Sequence, residues 1–202
     1  MATTTELESS YSFENIKGFP PVIDGKINVI HFLEASSDLI CLVENLGKVF
    51  APVKYDMQGN IDKIKKCEYN DNSCLLQLML DEVTSGKLML TEGVLWLNRA
   101  FLFFELAFQE MLCCLQTGSH DNINMKKIFT VAYEGSVKKY HNWITQQLFV
   151  VICKMSPTFP QIMKSFHVVD IQTFKKKLTS FNITLHIVRC KIDDFFKDNN
   201  VI

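Results

Sequence analysis

The sequence predicts an all-α protein, and three observations support this. Apolar residues recur at i, i+3 and i+4 along most of the chain, which is the spacing of one face of an α-helix. Short polar breaks, several with Gly or Pro, separate these stretches. No segment combines an alternating strand pattern with a hairpin turn, although the β-branched run from Ile183 to Val188 leaves one short strand possible.

The first three predicted helices lie in the N-terminal half of the chain. The first extends from Ile27 to Leu46, and Gly47 ends it. The second runs from Phe50 to Lys66. The third spans about Cys74 to Thr84 and is followed by Ser85-Gly86, a pair typical of a turn.

The longest apolar segment, from Leu88 to Leu115, predicts a buried central helix about 40 Å long at 1.5 Å per residue. About 20 apolar residues suffice to span a membrane, so a transmembrane helix is the alternative interpretation of this segment. Polar and charged residues interrupt the segment, and no apolar run is longer than Ala100 to Phe104. A helix that is apolar on most of its circumference yet carries charges is typical of the centre of a helical protein.

In the C-terminal half, the apolar pattern predicts further helices after a polar break from Thr117 to Asn124. Helical patterning then runs through Tyr140 to Met155, and three amphipathic stretches follow: Ile162 to Phe166, Ile171 to Phe181 and Ile183 to Phe196. The N-terminus lacks the basic start and apolar segment of a secretory signal. We therefore expect residues 1–18 to be a flexible tail and residues 19–202 to form one domain.

Composition narrows the functional classes. A net charge of -1 gives no electrostatic basis for binding nucleic acid. Seven cysteines without C-x-x-C spacing favour reduced, cytosolic thiols over a disulfide framework or zinc site. The sequence has no nucleophile elbow, phosphate-binding loop or zinc helix, so we expect no enzyme activity, metal or cofactor. A 48% apolar content with 16 Phe indicates an enclosed apolar ligand or an unusually large core.

The second predicted helix carries the most informative polar residues. Asp56, Asn60 and Lys63 stand at i, i+4 and i+7, so a helix would bring them to one face. A carboxylate, an amide and a cation on one face can hold a polyol. Alternatively, Asp56 and Lys63 belong to an ordinary solvated helix face, and Met57 to Asn60 form only a turn.

Three segments of the chain resemble the signature segments of the glycolipid transfer protein family. They are Val49 to Ile64 (VFAPVKYDMQGNIDKI), Leu95 to Phe101 (LWLNRAF) and Ala132 to Ile144 (AYEGSVKKYHNWI), in the order that the family has them. The general resemblance extends over roughly residues 19–190. It implies an all-helical, two-layer sandwich that encloses a hydrophobic lipid tunnel.

The resemblance also implies roles for five residues. Asp56 is expected to accept a hydrogen bond from the ceramide amide N–H, and His141 to donate one to its C=O. Asn60 and Lys63 are expected to bind sugar hydroxyls, and Trp96 to lie against the first sugar ring, although a simple core role also fits Trp96. Similar carriers of ceramide 1-phosphate have basic side chains in place of Asn60 and Trp96, so this chain favours a sugar headgroup.

Apolar residues are expected to line the tunnel and to contact the membrane. The tunnel candidates, which ordinary core packing explains nearly as well, are Phe32, Leu33, Val53, Phe101, Phe104, Phe108, Leu148 and Ile152. Trp143 follows His141 by two residues on one predicted helix, and two residues turn about 200°, so Trp143 should point away from the headgroup site. We expect Trp143, with Phe159 in the following loop, to dock on membranes.

Taken with the resemblance, these patterns predict a monomeric, non-enzymatic carrier in the cytoplasm that is peripheral on membrane surfaces. Its expected ligand is a glycosphingolipid, which it transfers between membranes, and no nucleic acid is involved. One alternative is a carrier or sensor of ceramide 1-phosphate or another sphingolipid. Another is a helical protein–protein interaction module in which Trp96 and His141 are core residues.

Overall fold

The computed structural model describes residues 13–117 and 123–201, and within these ranges the chain folds into eight α-helices. The helices are α1 (Val29–Asn45), α2 (Ala51–Lys65), α3 (Leu75–Thr84), α4 (Met89–Gln116), α5 (Met125–Gly135), α6 (Trp143–Lys154), α7 (Phe159–Ser165) and α8 (Ile171–Asp198). Short 3₁₀ turns occur at Phe13–Asn15, Lys48–Phe50 and Lys138–Tyr140. The described residues contain isolated bridges but no strand, which confirms the all-α prediction.

Helices α1 to α4 begin and end within two residues of their predicted limits. Their boundaries follow from local signals. The side chain of Asn28 accepts a hydrogen bond from the His31 N–H at 3.0 Å and caps α1. Pro52 lies in the first turn of α2, where its missing N–H leaves no intrahelical bond unmade. Gly59 and Asn60 form no turn and lie within α2.

The C-terminal third differs from the prediction because two stretches merge into one helix. Residues 171–198 form the continuous helix α8, so the short strand left possible at Ile183 to Val188 is wrong. Leu185 and Val188 are buried while Ile183 and Ile187 are exposed. That alternation of burial has helical spacing, and it places the apolar side of α8 against the core.

The helix predicted to run through Tyr140 to Met155 is interrupted. Helix α5 ends at Gly135, and the backbone of His141 is extended with φ -89° and ψ 138°. The side chain of Asn142 accepts a hydrogen bond from the Thr145 N–H at 2.9 Å and so starts α6 at Trp143. His141 therefore lies on the connection between two helices rather than on a helix.

The predicted tail ends earlier than residue 18. The side chains of Phe13 and Ile16 are buried, and the ring of Phe13 stacks on that of Phe166 with centroids 5.7 Å apart. The Phe13 N–H donates to the Phe166 carbonyl at 3.1 Å. The prediction of a flexible tail is thus wrong for residues 13–18, and its first 12 residues lie outside the described part of the chain.

Helix α4 occupies the centre of the fold and contacts α2, α3, α5 and α8. Gly93 allows α2 to approach closely, because a Cβ atom there would lie 3.0 Å from the Asn60 carbonyl oxygen and 3.2 Å from Lys63 Cβ. Most of α4 is buried by its neighbours, as predicted from its apolar circumference. Among the described residues, no helix has both the length and the apolar character needed to cross a membrane.

Two polar residues inside α4, Glu105 and Asn98, are paired with α8. Glu105 is 7% exposed, and its carboxylate accepts hydrogen bonds from Arg189 and, at 2.7 Å, from His186 Nδ1. Asn98 donates to Asp193 at 2.6 Å, and Arg189 bridges to the same Asp193. A buried carboxylate without such partners would be strongly disfavoured, so this network holds α8 in one position along α4.

The N-terminus of α4 is capped from another helix. The Glu82 carboxylate, on α3, accepts hydrogen bonds from the backbone N–H groups of Leu90 and Thr91 at 2.8 and 2.7 Å, and from the Thr91 hydroxyl at 2.7 Å. The two backbone N–H groups are ones that the first turn of a helix leaves without intrahelical partners. The negative charge also lies at the positive end of the helix dipole.

Replacing Glu82 should destabilise the protein through this cap. We expect Glu82→Ala to lower the free energy of unfolding by about 1–2 kcal/mol, the usual loss for a helix cap. Urea unfolding followed by circular dichroism measures the change. Glu68→Ala removes an exposed carboxylate and should shift stability by less than about 0.5 kcal/mol. Equal effects of the two substitutions would contradict the capping role.

Candidate functional site

A cavity of about 130 Å³ opens between α2, α4, α6 and the segment that precedes α6. Its wall is mainly apolar, and Asp56 and His141 are the ionisable groups that line it. Pockets that hold whole small ligands usually measure about 300–1,000 Å³, so a large ligand must widen this cavity. Among the described residues, no group of three or more His, Cys, Asp or Glu side chains could hold a metal ion.

The structure brings Asp56, Trp96 and His141 together at the cavity, as the sequence predicted. Asn60 and Lys63 lie further along α2 and do not line it. The Asn60 side chain is 5% exposed and donates to the Asp56 carbonyl oxygen at 2.9 Å, with a longer contact of 3.5 Å to the Asp56 carboxylate. Lys63 is half-buried, and its stem lies beside Gly93 on the turn of α4 that precedes Trp96.

Asp56 and His141 influence each other electrostatically. Asp56 keeps contact with solvent on one side, but partial burial raises the pKa of its carboxyl, against the opposing charges of His141 and Lys63. Burial lowers the pKa of the His141 imidazole, and Asp56 opposes this shift. The cavity therefore presents a carboxylate acceptor beside a largely neutral imidazole at neutral pH.

Trp96 is half-buried and is held by two neighbours. The guanidinium carbon of Arg99 lies 4.6 Å from the Trp96 ring centroid and 3.7 Å from that of Tyr140. The Trp96 and Tyr140 rings meet edge to face with centroids 6.4 Å apart. A cation against both aromatic faces fixes the indole by cation–π attraction and packing. The indole also lines the cavity.

Sequence analysis missed Tyr133, a buried residue of α5 whose hydroxyl lies 3.0 Å from His141 Nδ1. Its ring stacks on Phe149, which lines the cavity, with centroids 4.0 Å apart. Tyr133 stands within the third signature segment, eight residues before His141. Its place in that segment could have suggested a role at the site, but the sequence does not indicate the contact with His141.

The predicted tunnel residues divide into two groups. Four of them line the cavity: Val53, Phe104, Leu148 and Ile152. The other four are buried away from its wall: Phe32, Leu33, Phe101 and Phe108. Phe32 and Phe101, for example, pack on Phe19 with centroids 6.0 and 5.1 Å from it. Sequence analysis overlooked Phe103 and Phe149, which line the cavity.

The predicted membrane-facing residues have different positions. The Trp143 side chain is 72% exposed, which confirms its outward direction. The predicted offset of 200° on one helix is not the cause of this direction, because His141 and Trp143 do not share a helix. The prediction that Phe159 faces a membrane is also wrong, because Phe159 is 5% exposed. Helix α7 begins at Phe159 and turns it inward together with Ile162, three residues later.

Comparison with known proteins identifies one family. Residues 27–168 match the family model described as Glycolipid transfer protein (GLTP). A glycolipid transfer protein of Aureobasidium melanogenum is 35% identical over 141 residues, which cover 68% of this chain and 67% of that protein.

Solved structures agree with this match at the level of the fold. The structure of FAPP2, described as selecting simple glycosphingolipids with the GLTP-fold, has a TM-score of 0.77 at 19% identity and covers 97% of this chain and 96% of that one. Mouse ceramide-1-phosphate transfer protein has a TM-score of 0.76 at 15% identity, with coverages of 89% and 91%. The fold expected from the signature segments is thereby confirmed.

The lowered pKa of His141 should make stability depend on pH. The unfolded chain binds this proton more readily than the folded protein, whose imidazole pKa lies below 6.5. The free energy of unfolding should therefore decrease as the pH falls below about 6.5, until the folded protein also binds the proton. We expect His141→Gln to remove this decrease. Urea unfolding between about pH 7.5 and pH 5 tests it, and parallel curves for the two proteins would contradict the buried, neutral imidazole.

Proposed function

The chain belongs to the glycolipid transfer protein family, and from this premise we propose that it binds glycosphingolipids and carries them between membranes. The protein performs no chemical step on the lipid, acts as a monomer and visits membrane surfaces from the cytoplasm. Its lipid-transfer domain includes Phe13, whose side chain is buried in the core.

The placement of Asp56 and His141 at one apolar cavity is the observation that carries the proposal. An amide-linked lipid presents one N–H and one C=O close together. The Asp56 carboxylate accepts from the N–H, and the His141 imidazole donates to the C=O, so each polar group of the amide finds its complement. The apolar wall behind them suits hydrocarbon, because each CH₂ removed from water contributes about 0.8 kcal/mol.

The surroundings of Trp96 favour a sugar headgroup. An indole that is held by Arg99 and Tyr140 and that lines the cavity offers a plate for the apolar face of a sugar ring. Lys63, which is half-buried further along α2, supplies a donor for hydroxyls, whereas the buried Asn60 side chain is bonded to the Asp56 carbonyl and holds that turn of the helix. A phosphate headgroup prefers paired cations, whereas the Asn60 and Trp96 positions carry no charge. The guanidinium of Arg99 already lies against two aromatic rings.

Docking on the membrane uses the exposed side of α6. Trp143 and Ile144, in its first turn, are 72% and 73% exposed, and Met155, which follows its last residue, is 66% exposed; this is an unusual concentration of large apolar side chains on one short segment. Indole and aliphatic groups at such a surface partition into the interface of a bilayer. Leu148 and Thr145, on the same helix, line the cavity. The docking surface and the lipid site are thus two sides of α6.

Substitution of Asp56 tests the proposed amide contact. Asp56→Asn keeps the shape but exchanges a carboxylate for an amide, so the lipid N–H loses a charged acceptor. We expect binding of a monohexosylceramide to weaken about 5- to 150-fold, corresponding to about 1–3 kcal/mol. Fluorescence titration with a labelled short-chain lipid measures this. Asp62→Asn, an exposed substitution on the same helix, is the matched control and should bind normally.

Two results would overturn the proposed function. One is equal binding by Asp56→Asn and the control. The other is competition by ceramide 1-phosphate that exceeds competition by glucosylceramide or galactosylceramide in the unsubstituted protein. That outcome would make the protein a phosphosphingolipid carrier or sensor. If no sphingolipid binds, the remaining hypothesis is that the protein is a helical protein–protein interaction module.

A second prediction separates docking from binding. Trp143→Ala should reduce partitioning to phosphatidylcholine vesicles and the transfer rate, while binding of a short-chain lipid in solution stays within about twofold, because the indole contacts the bilayer rather than the ligand. Val169→Ala, which trims an apolar side chain 92% exposed elsewhere, should change neither. Loss of short-chain lipid binding in Trp143→Ala would place the indole in the ligand site and refute the docking role.

A further inference from the structure

The hydrogen bond between Tyr133 and His141 has a fixed geometry. The Tyr133 side chain is 2% exposed, and its hydroxyl oxygen lies 3.0 Å from His141 Nδ1. Its ring is stacked on Phe149 at 4.0 Å with an interplanar angle of 5°. Phe149 is itself held edge to face by Phe103, at 5.4 Å. The hydroxyl therefore cannot turn away from the imidazole without disturbing the packing of the cavity wall.

The direction of this hydrogen bond decides which ring nitrogen of His141 faces a ligand as a donor. A neutral imidazole carries its proton on one nitrogen only. If Tyr133 donates to Nδ1, the proton of His141 resides on Nε2. If Nδ1 donates to the hydroxyl oxygen instead, Nε2 has a bare lone pair and can only accept.

Two observations favour donation by Tyr133. Its hydroxyl proton needs an acceptor because the group is buried, and within the described part of the chain His141 Nδ1 is the partner that the hydroxyl has. Burial also raises the pKa of Tyr133 to about 12, with a smaller contribution from Cys153, so the hydroxyl keeps its proton. The Asp56 carboxylate lines the same cavity as His141 and acts on it electrostatically, so it attracts an N–H of the imidazole and repels a bare lone pair turned toward the cavity.

We propose that Tyr133 is a positioning residue that donates its hydroxyl hydrogen to His141 Nδ1 and thereby holds His141 as the Nε2–H donor for the carbonyl of the lipid amide. The role of the lipid carbonyl rests on the proposed function. The state of the imidazole does not, because the contact exists without ligand. Tyr133 prepares the donor before a lipid arrives, so no rearrangement of protons accompanies binding.

Tyr133→Phe is the sharpest test, because it keeps the ring that stacks on Phe149 and removes only the hydroxyl. Protein labelled with ¹⁵N-histidine reports by long-range ¹H–¹⁵N correlation which nitrogen of each neutral imidazole lacks a proton. His141→Gln identifies the His141 signal among the five histidines. Tyr69→Phe, which removes a hydroxyl from a half-buried residue outside the cavity, is the matched control.

We expect ligand-free unsubstituted protein to show His141 protonated at Nε2 and bare at Nδ1. Tyr133→Phe should show a mixture of tautomers and bind a monohexosylceramide about three- to tenfold more weakly, as expected for one lost hydrogen bond. Its melting temperature should fall by no more than about 4 °C. Tyr69→Phe should match the unsubstituted protein in both the histidine spectrum and lipid affinity.

Several results would overturn the proposal. A His141 protonated at Nδ1 in the unsubstituted protein does so at once, even if Tyr133→Phe fails to fold. An unchanged tautomer in Tyr133→Phe, or a changed tautomer with unchanged lipid affinity, removes the positioning role. If the expected tautomer is found but no sphingolipid binds, the proposed function is wrong. The hydrogen bond from His141 to the carbonyl of a lipid amide is then wrong as well, whereas the effect of Tyr133 on the tautomer stands.

Discussion

Helix α4 must be shielded from water over most of its surface, and the other helices are arranged to meet that requirement. A surface helix needs cover on one side only, but α4 is covered by α2, α3, α5 and α8 together. The few polar groups that it carries inward must then find partners within the protein. Glu105 finds Arg189 and His186, which fixes where α8 lies. The burial of α4 therefore determines both the packing and the register of its neighbours.

The same requirement positions the candidate site. Trp96 lies on α4 where the cover is incomplete, between α2 and the connection that carries His141. Asp56 reaches this opening from α2, and His141 reaches it from an extended segment that is free of helical constraints on side-chain direction. Each polar group at the cavity thus has a separate structural element behind it. Such an arrangement brings the polar groups together before ligand arrives, which reduces the ordering that binding requires of them, although the apolar wall must still widen for a large ligand.

Sequence predicted the parts of the structure that depend on periodicity. Helices α1 to α4 have long regular apolar patterns, and their limits were found within two residues. The break around His141 was not predicted. Val137 and the residues near it continue an apolar spacing that resembles a helix, and the Asn142 cap then starts a new helix, α6. Periodicity also identifies buried residues without telling which void they face. Phe104 and Phe101 therefore looked alike, although only Phe104 lines the cavity. The hydroxyl of Tyr133 gives no periodic signal at all.

Gly93 gives the site an adjustable dimension. The absence of a side chain there allows the backbone of α2 at Asn60 and the stem of Lys63 to rest directly on α4, one turn before Trp96. The separation between the two helices thus sets the distance from the polar groups of α2 to the indole. Each methyl group added at position 93 acts as a spacer between them. A single residue that does not line the cavity can in this way set the spacing between two helices that do.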